Sequence, residues 1–346
     1  MPTAPTSTGA TLTTITTTTT TATPAAPPAI SATGLTKSYG DKRVLDGIDL
    51  HIPEGTVFAL LGPNGAGKTT TVQILSTLIP ATAGQARVAG RDLVREADAV
   101  RAAIGVTGQF SAVDNLLTAR ENLLLMADLH HLGRREGRGR ATELLRRFDL
   151  TEAAAKPVAT FSGGMRRKLD LAMTLVGEPR IIFLDEPTTG LDPRSRRTMW
   201  EIIRGLVADE GVTIFLTTQY LEEADQLAGH IAVLDGGKLV AEGTADELKR
   251  RIPGGHIRLR FADASQLSAA AALFDATAHD SEALTLHIPG DGSVPAVRAV
   301  LDALDRASVR AEELTVHTPD LDDVFLTLTG RDRSAGGADS PKENAR

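Results

Sequence analysis

The sequence predicts an α/β chain built on a doubly wound sheet and followed by a smaller α+β unit, and three observations carry that prediction. A glycine-rich loop, Gly62-Pro63-Asn64-Gly65-Ala66-Gly67-Lys68-Thr69-Thr70, stands between the apolar run Val57–Leu61 and a helix-like stretch that begins at Thr71. Strand-like apolar runs then alternate with amphipathic helical patterns as far as Ala241. Beyond Arg251 the chain changes character, with twelve acidic residues against five arginines and no lysine between Ile252 and Gly330. That balance argues against a nucleic-acid module in this part of the chain.

With 346 residues there is room for one large or two ordinary domains. Apolar residues make up 42%, charged residues 23%, and the net charge is -7, the values of a soluble globular protein with no general attraction to nucleic acid. Cysteine is absent, which excludes disulfides, thiolate metal sites and a cysteine nucleophile. Residues 1–29 stand apart: Thr13–Thr21 is threonine but for Ile15, and Pro24-Ala25-Ala26-Pro27-Pro28 closes the segment. So little apolar surface cannot offset the entropy of ordering, and a disordered tail is expected. The segment lacks the basic and continuous apolar regions of a signal peptide, and nowhere do about 18 apolar residues run together as a membrane span requires.

From Ile30 the folded part is expected to begin with Leu35–Gly40, a polar turn at Asp41-Lys42, and an alternating strand at Val44–Leu50. Tyr39, judged on local pattern, is a half-buried strand aromatic. Pro53-Glu54-Gly55 then turns the chain into the strand before the glycine-rich loop. Strand, loop and helix together are the context that the phosphate-loop pattern G-x-x-x-x-G-K-[ST] requires. Successive backbone N–H groups and the helix N-terminus face a polyphosphate, Lys68 reaches the terminal phosphates, and Thr69 presents a hydroxyl to Mg²⁺.

Ile104–Gln109 reads as a short strand ending in glutamine, followed by a polar loop through Asp114. Arg120–Leu150 reads as helices broken at Gly133 and again at Gly137-Arg138-Gly139. The arginine-rich run Arg134–Arg140 has no interleaved aromatic residue for base stacking, so a solvated helix–helix turn is preferred to a nucleic-acid surface. Ser162-Gly163-Gly164 opens another helix and offers a hydroxyl and backbone donors, either a second anion site or an ordinary cap. Ile181–Leu184 reads as a strand buried on both faces that delivers Asp185 and Glu186 to its carboxyl end, where ligands of α/β sheets lie. Adjacent strand residues point to opposite sides, so Asp185 is read as holding Mg²⁺ through water and Glu186 as aimed at an attacking water, with a solvated strand end as the alternative. Thr188–Pro193 is a turn, Arg194–Leu206 a helix, and Val212–Thr218 a buried strand ending at Gln219. A helix at Leu221–Ala228, a strand at Ile231–Leu234 and a hairpin through Asp235-Gly236-Gly237-Lys238 complete the larger domain.

In this order the motifs resemble the ATP-binding subunit of ABC transporters, over about Ile30 to Leu248. The resemblance implies a P-loop NTPase core of ABC type at residues 30–250 with a helical subdomain at about 97–175; beyond it, strand-like Ile257–Phe261, Leu284–Ile288 and Leu314–Val316 with alanine-rich and Val294–Leu304 helical patterns between them read as an accessory α+β domain at 251–330, and the polar end as a disordered tail at 331–346. It also implies ATP and Mg²⁺ as cofactors. Gly62, Pro63, Asn64, Gly65, Ala66, Gly67, Lys68, Thr69 and Thr70 then resemble the Walker A loop, and Gln109 the Q-loop glutamine, a further Mg²⁺ ligand. Ser162, Gly163 and Gly164 resemble the family signature, Asp185 and Glu186 the Walker B pair, and Asp192 the D-loop aspartate. Tyr39 takes the place of the aromatic on which adenine stacks.

Two positions depart from the common pattern: Met165 stands where glutamine usually ends the signature, and Gln219 where a switch histidine is usual. A glutamine can hydrogen-bond a γ-phosphate but cannot take up a proton near neutral pH. Ser-Gly-Gly-Met followed by Arg166-Arg167, the run Thr217-Thr218-Gln219-Tyr220-Leu221-Glu222-Glu223-Ala224-Asp225, and Leu321-Asp322-Asp323-Val324-Phe325 resemble the daunorubicin-resistance branch. Its members are ATPase subunits of antibiotic and multidrug exporters. A peripheral protein of the cytoplasmic membrane face is implied, working as a dimer, expected to be a homodimer, with an integral permease on another chain. The ATPase of a lipid or polysaccharide exporter is the alternative within transport, and a soluble ABC ATPase acting on ribosomes or DNA the alternative outside it. Residues 251–330 are read as a regulatory or dimer-stabilising extension, or as a packed appendage.

Overall fold

A tight turn at Gly40-Asp41 joins the first two strands, β1 (Ile30–Tyr39) and β2 (Lys42–Ile52), which pair antiparallel. The computed structural model describes residues 28–109, 112–251, 255–274, 278–290, 292–317 and 319–329. The Thr/Pro-rich opening segment, apart from its last two residues, and the tail at 331–346 lie outside the described residues. β3 (Val57–Leu61) leads through the glycine-rich loop into α1 (Lys68–Leu75), followed by β4 (Ala83–Val88), β5 (Arg91–Asp92), α2 (Ala97–Ala103) and β6 (Ile104–Thr107). Three helices come next, α3 (Ala119–Leu129), α4 (Arg134–Arg147) and α5 (Gly163–Thr174). The chain then returns to the sheet with β7 (Ile181–Asp185), α6 (Pro193–Glu210), β8 (Thr213–Thr218), α7 (Leu221–Leu227), β9 (His230–Asp235), β10 (Lys238–Gly243) and α8 (Ala245–Arg251).

The central sheet runs β10-β9-β3-β8-β7-β6, parallel except for β10 at one edge, while β2-β1-β4-β5 form a separate antiparallel sheet. Every residue of β3, β7 and β8 is buried, and the two-residue period of a strand divides them between two cores. Val57, Ala59, Leu61, Ile182, Leu184 and Ile214 pack with the helices α3 to α7. Phe58, Leu60, Phe183 and Phe215 pack instead with α1 and the antiparallel sheet. Phe58 and Phe183 flank Phe215 at ring-centroid distances of 5.3 and 5.5 Å, so one aromatic row ties three adjacent strands.

The helical layer corrects one expectation. Gly133 does end a turn, at the N-cap of α4, but α4 runs unbroken through Gly137-Arg138-Gly139. Gly137 is buried where α4 crosses α3, and a Cβ there would lie 2.9 Å from the Ala127 Cβ. This glycine answers a packing requirement, which outweighs its poor helix propensity. Arg134, Arg135 and Arg138 point to solvent. α3 starts with a capping box, in which the Thr118 hydroxyl accepts from the Glu121 N–H and the Glu121 carboxylate accepts from the Thr118 N–H.

After residue 255 a second antiparallel sheet forms from β11 (His256–Phe261), β12 (Ala278–Asp280), β13 (Thr285–Pro289) and β14 (Ala311–His317), in the order β12-β13-β11-β14. α9 (Ala264–Leu273) and α10 (Val294–Arg306) close a separate core around Ile257, Leu259, Phe261, Leu267 and Leu304. α11 (Leu321–Thr329) then leaves this unit: Leu321 and Val324 are buried in the larger core, against α7 and α8. Among the described residues no helix is long and apolar enough to cross a membrane.

Candidate active site

Parallel registry brings the site together. Leu61 pairs with Thr218 and Asp185 with Thr217, so the segments after β3, β7 and β8 emerge at one edge of the sheet. Gly67, at φ 112°, is the N-cap of α1 and makes no side-chain cap, which leaves the first N–H groups of the helix facing outward. A helix end of this kind is ready for an anion. Lys68 opens the helix and is only 5% exposed. Its Nζ donates to the carbonyls of Gly62 at 2.9 Å and Pro63 at 3.2 Å, and pairs with the Glu186 carboxylate at 3.3 Å. Thr69, beside it, is exposed.

Asp185 closes β7, buried, with its Oδ1 accepting from the Thr217 hydroxyl at 2.5 Å. Glu186 has already left the strand: its φ is 51°, in the left-handed region, and its N–H lies 3.1 Å from both the carbonyl and the hydroxyl oxygen of Thr217. The two carboxylates therefore part because the backbone turns at Glu186, not through the alternation of a continuing strand. A non-glycine residue held in this region is strained and needs a surrounding structure that enforces it. The Thr189 hydroxyl donates to the second Glu186 oxygen at 3.3 Å.

Ser162 caps α5 by accepting from the Met165 N–H at 3.2 Å. Met165 is half-buried and packs on the helical core, which gives the apolar side chain a place that a glutamine would not need. Gly164 lies against the first turn of α6, where a Cβ would come within 2.5 Å of the Ser195 hydroxyl. Asp192 caps α6, accepting from the Arg194 and Ser195 N–H groups at 3.0 Å each and from the Ser195 hydroxyl at 2.6 Å. Those bonds, that of the Ser195 hydroxyl first, hold its carboxyl below the usual range. Gln109 is exposed just past β6, and Gln219 is half-buried just past β8. Tyr39 ends β1 at 50% exposure, with the Lys37 ammonium 5.0 Å from its ring centroid.

Within one chain the loop at 62–70 meets the β7 end through Lys68 and Glu186, and meets the β8 end through the Gly62 N–H, which donates to the Thr218 carbonyl at 3.2 Å. Among the described residues no hydrogen bond or ion pair joins Ser162, Gly163, Gly164 or Tyr39 to that loop. Three residues that the sequence motifs include without a role of their own stand at the site. Thr217 holds both members of the acidic pair. Arg167, on α5, bonds the carbonyls of Asp185, Glu186 and Pro187. Glu223, fully buried on α7, accepts from the Thr188 hydroxyl at 2.8 Å and the Trp200 indole N–H at 3.2 Å, and the Thr218 side chain also lies against its carboxylate. Burial raises the Glu223 carboxyl above its ordinary value. The i, i+4 spacing of Glu223 and Leu227 could have placed this glutamate on the inner face of its helix.

The donors fit Mg-ATP. A buried ammonium with one carboxylate partner among the described residues and an uncapped helix start suits a polyphosphate, and the oxygens of Thr69 and Asp185 are of the hard kind that Mg²⁺ takes. The sequence profile of the ABC transporter family matches residues 45–189. A daunorubicin resistance ATP-binding protein of Streptomyces coeruleorubidus is 52% identical over 306 residues, which cover 88% of this chain and 96% of that relative. A daunorubicin/doxorubicin resistance ATP-binding protein of Streptomyces peucetius is 46% identical over 87% of this chain and 92% of its own. A solved dimeric ATP-binding cassette in a post-hydrolysis state, bound to ADP and Pi, aligns over 62% of this chain and 98% of its own length with a TM-score of 0.57 and 27% identity. Identity of this extent, on a phosphate-loop α/β fold, makes the chain a member of the ABC transporter family, an ATP-binding subunit that hydrolyses ATP.

Proposed function

We propose that this ABC ATPase powers the export of daunorubicin- or doxorubicin-like drugs through a permease on a separate chain, working as a homodimer at the cytoplasmic face of the membrane. Assignment of the hydrolytic site rests on one observation, the buried Lys68–Glu186 pair at 3.3 Å where β3 and β7 end. The choice of drug rests on the relatives, whose names carry daunorubicin resistance.

Lys68 and the N–H groups of the loop from Gly62 to Thr70 hold the β- and γ-phosphates, and Tyr39 offers its exposed ring to the adenine. Thr69, Asp185 and Gln109 would hold Mg²⁺, which supplies charge neutralisation on those phosphates. Arrival of the γ-phosphate gives Lys68 a new counter-anion, and Glu186 is thereby freed to orient the attacking water. Gln219 donates its amide N–H to a γ-phosphate oxygen and so senses that group without exchanging a proton. Ser162, Gly163 and Gly164 of a second copy complete the enclosure, and Asp192 keeps the start of α6 in place beside them. This in-trans arrangement is supported by the lack of contact between the signature and the loop of its own chain and by the dimeric relative. Loss of the γ-phosphate removes the charge that holds the halves together, and their opening is passed to the permease. Gln109 and the exposed Leu116, Leu125 and Leu129 of the helical layer form the face for that contact. Residues 251–330 we read as a regulatory or dimer-stabilising extension.

The test is drug accumulation in cells that express the chain with its permease, comparing wild type with Glu186→Gln over a panel that includes anthracyclines. Lower accumulation with wild type alone is the expected result. Equal accumulation of every compound would overturn the drug assignment.

A further inference from the structure

Arg167 lies just over one turn into α5, the helix that Ser162 caps, and its side chain is only 11% exposed. A guanidinium carries five N–H donors in a fixed planar fork. Here all five find an acceptor. Nε donates to the Pro187 carbonyl at 2.9 Å; Nη1 donates to the Gly108 carbonyl at 2.9 Å and to the Asp170 carboxylate at 3.1 Å; Nη2 donates to the carbonyls of Asp185 at 3.2 Å and Glu186 at 3.4 Å. Asp170 also accepts from the Ala112 N–H at 3.1 Å. One side chain thus joins the residue before Gln109, the three-residue turn that carries Glu186, and the helix headed by the signature.

The acceptors explain why this must be arginine. The carbonyls of Asp185, Glu186 and Pro187 follow one another around the left-handed turn at Glu186. A planar fork meets a row of carbonyls that a single ammonium could reach only in part. Desolvation of the guanidinium is compensated by the Asp170 carboxylate and by the carbonyl dipoles.

We propose that Arg167 is a positioning residue for ATP hydrolysis: it locks Gly108, the Asp185–Pro187 turn and α5 into one body, so that movement of the helix bearing Ser162 moves Gln109 and the Glu186 backbone with it. Engagement of the signature by the second copy then reaches the water-orienting carboxylate of the same chain through this guanidinium. The inference rests on the reading of Glu186 as the hydrolytic carboxylate. It assigns Arg167 no contact with nucleotide.

The experiment compares the full chain as wild type, Glu186→Gln, Arg167→Lys and Asp170→Asn, with phosphate release, ATP binding and folded fraction measured on each. For Arg167→Lys, kcat per folded molecule is expected to fall at least about tenfold while ATP affinity changes by less than about threefold, the split that marks an interaction acting on turnover and not on binding. A purely structural role predicts a lower melting temperature with kcat per folded molecule unchanged, and that result overturns the proposal. Should Arg167→Lys not fold, Asp170→Asn decides: a severalfold loss of kcat at unchanged affinity supports the proposal, and wild-type kcat overturns it. Turnover by Glu186→Gln equal to wild type would overturn the underlying reading of the site, an outcome distinct from failure of Arg167 alone.

Discussion

Replacing Glu186 with glutamine removes one negative charge from beside Lys68 while keeping the size of the side chain and an acceptor oxygen. Nζ and Oε1 are 3.3 Å apart, and the two side chains are 4% and 9% exposed. At an effective dielectric constant of about 20 the bare attraction at that distance is about 5 kcal/mol. Desolvation offsets most of it, leaving about 1–2 kcal/mol net for a pair of this burial. On the proposed role of Lys68 that remainder opposes ATP, because the γ-phosphate would draw on the same ammonium. Glu186→Gln is therefore expected to bind ATP about tenfold more tightly, the equivalent of about 1.4 kcal/mol. Turnover is expected to fall by about 10²- to 10⁴-fold, the usual contribution of a positioned acid–base group. Equilibrium binding of a fluorescent ATP analogue, run in parallel with phosphate release, reads both quantities. Turnover within about threefold of wild type would refute the role of Glu186, and weaker binding by the variant would refute its competition for Lys68.

Two further outcomes concern the scaffold. Burial raises the Glu223 carboxyl above 4.5 in the folded chain, so the folded state takes up a proton more readily than the unfolded one. Stability from this group accordingly increases as pH falls through the folded value toward 4.5, and at higher pH the buried charge is a penalty. Glu223→Gln keeps the acceptor for Thr188 and Trp200 without that charge, so its melting temperature should exceed that of wild type near about pH 8 and the gap should narrow toward about pH 5; a constant or inverted gap counts against the idea. Gly137→Ala gains about 1 kcal/mol of helix propensity. It also places a methyl 2.9 Å from the Ala127 Cβ, where neither helix can yield easily, and overpacking of this kind costs about 1–3 kcal/mol. Net destabilisation in a urea titration is expected, and a more stable variant would show that α3 and α4 can slide apart.

Strands of the central sheet were legible in the sequence because Val57–Leu61, Ile181–Leu184 and Val212–Thr218 are buried on both faces and read as unbroken apolar runs. The short β4 and β5 escaped notice, since β4 is largely exposed and β5 is two residues long. Gly137 reads as a helix breaker in the sequence because its role depends on Ala127, a neighbour only after the helices pack. Lys68, Asp185 and Glu186 announce themselves through motif spacing. Arg167 stands in a motif whose spacing says nothing of its role: its partners are mostly main-chain carbonyls, which any residue supplies, drawn from positions 108 and 185–187. Glu186 misled in a finer way, because a left-handed φ in a glutamate leaves no trace in residue type.

Trp200 is the only tryptophan in the chain. Its indole N–H rests on Glu223, between α6, which starts beside Asp192, and α7, which starts two residues after Gln219. Indole emission responds to nearby charge and to hydration, so the protein carries an intrinsic optical probe in the seam between the two helices that follow Asp192 and Gln219. A change in emission on adding ATP would report any rearrangement around Trp200 in unlabelled protein, separately from phosphate release. The conformational half of the cycle is thereby open to stopped-flow spectroscopy with no dye and no substitution.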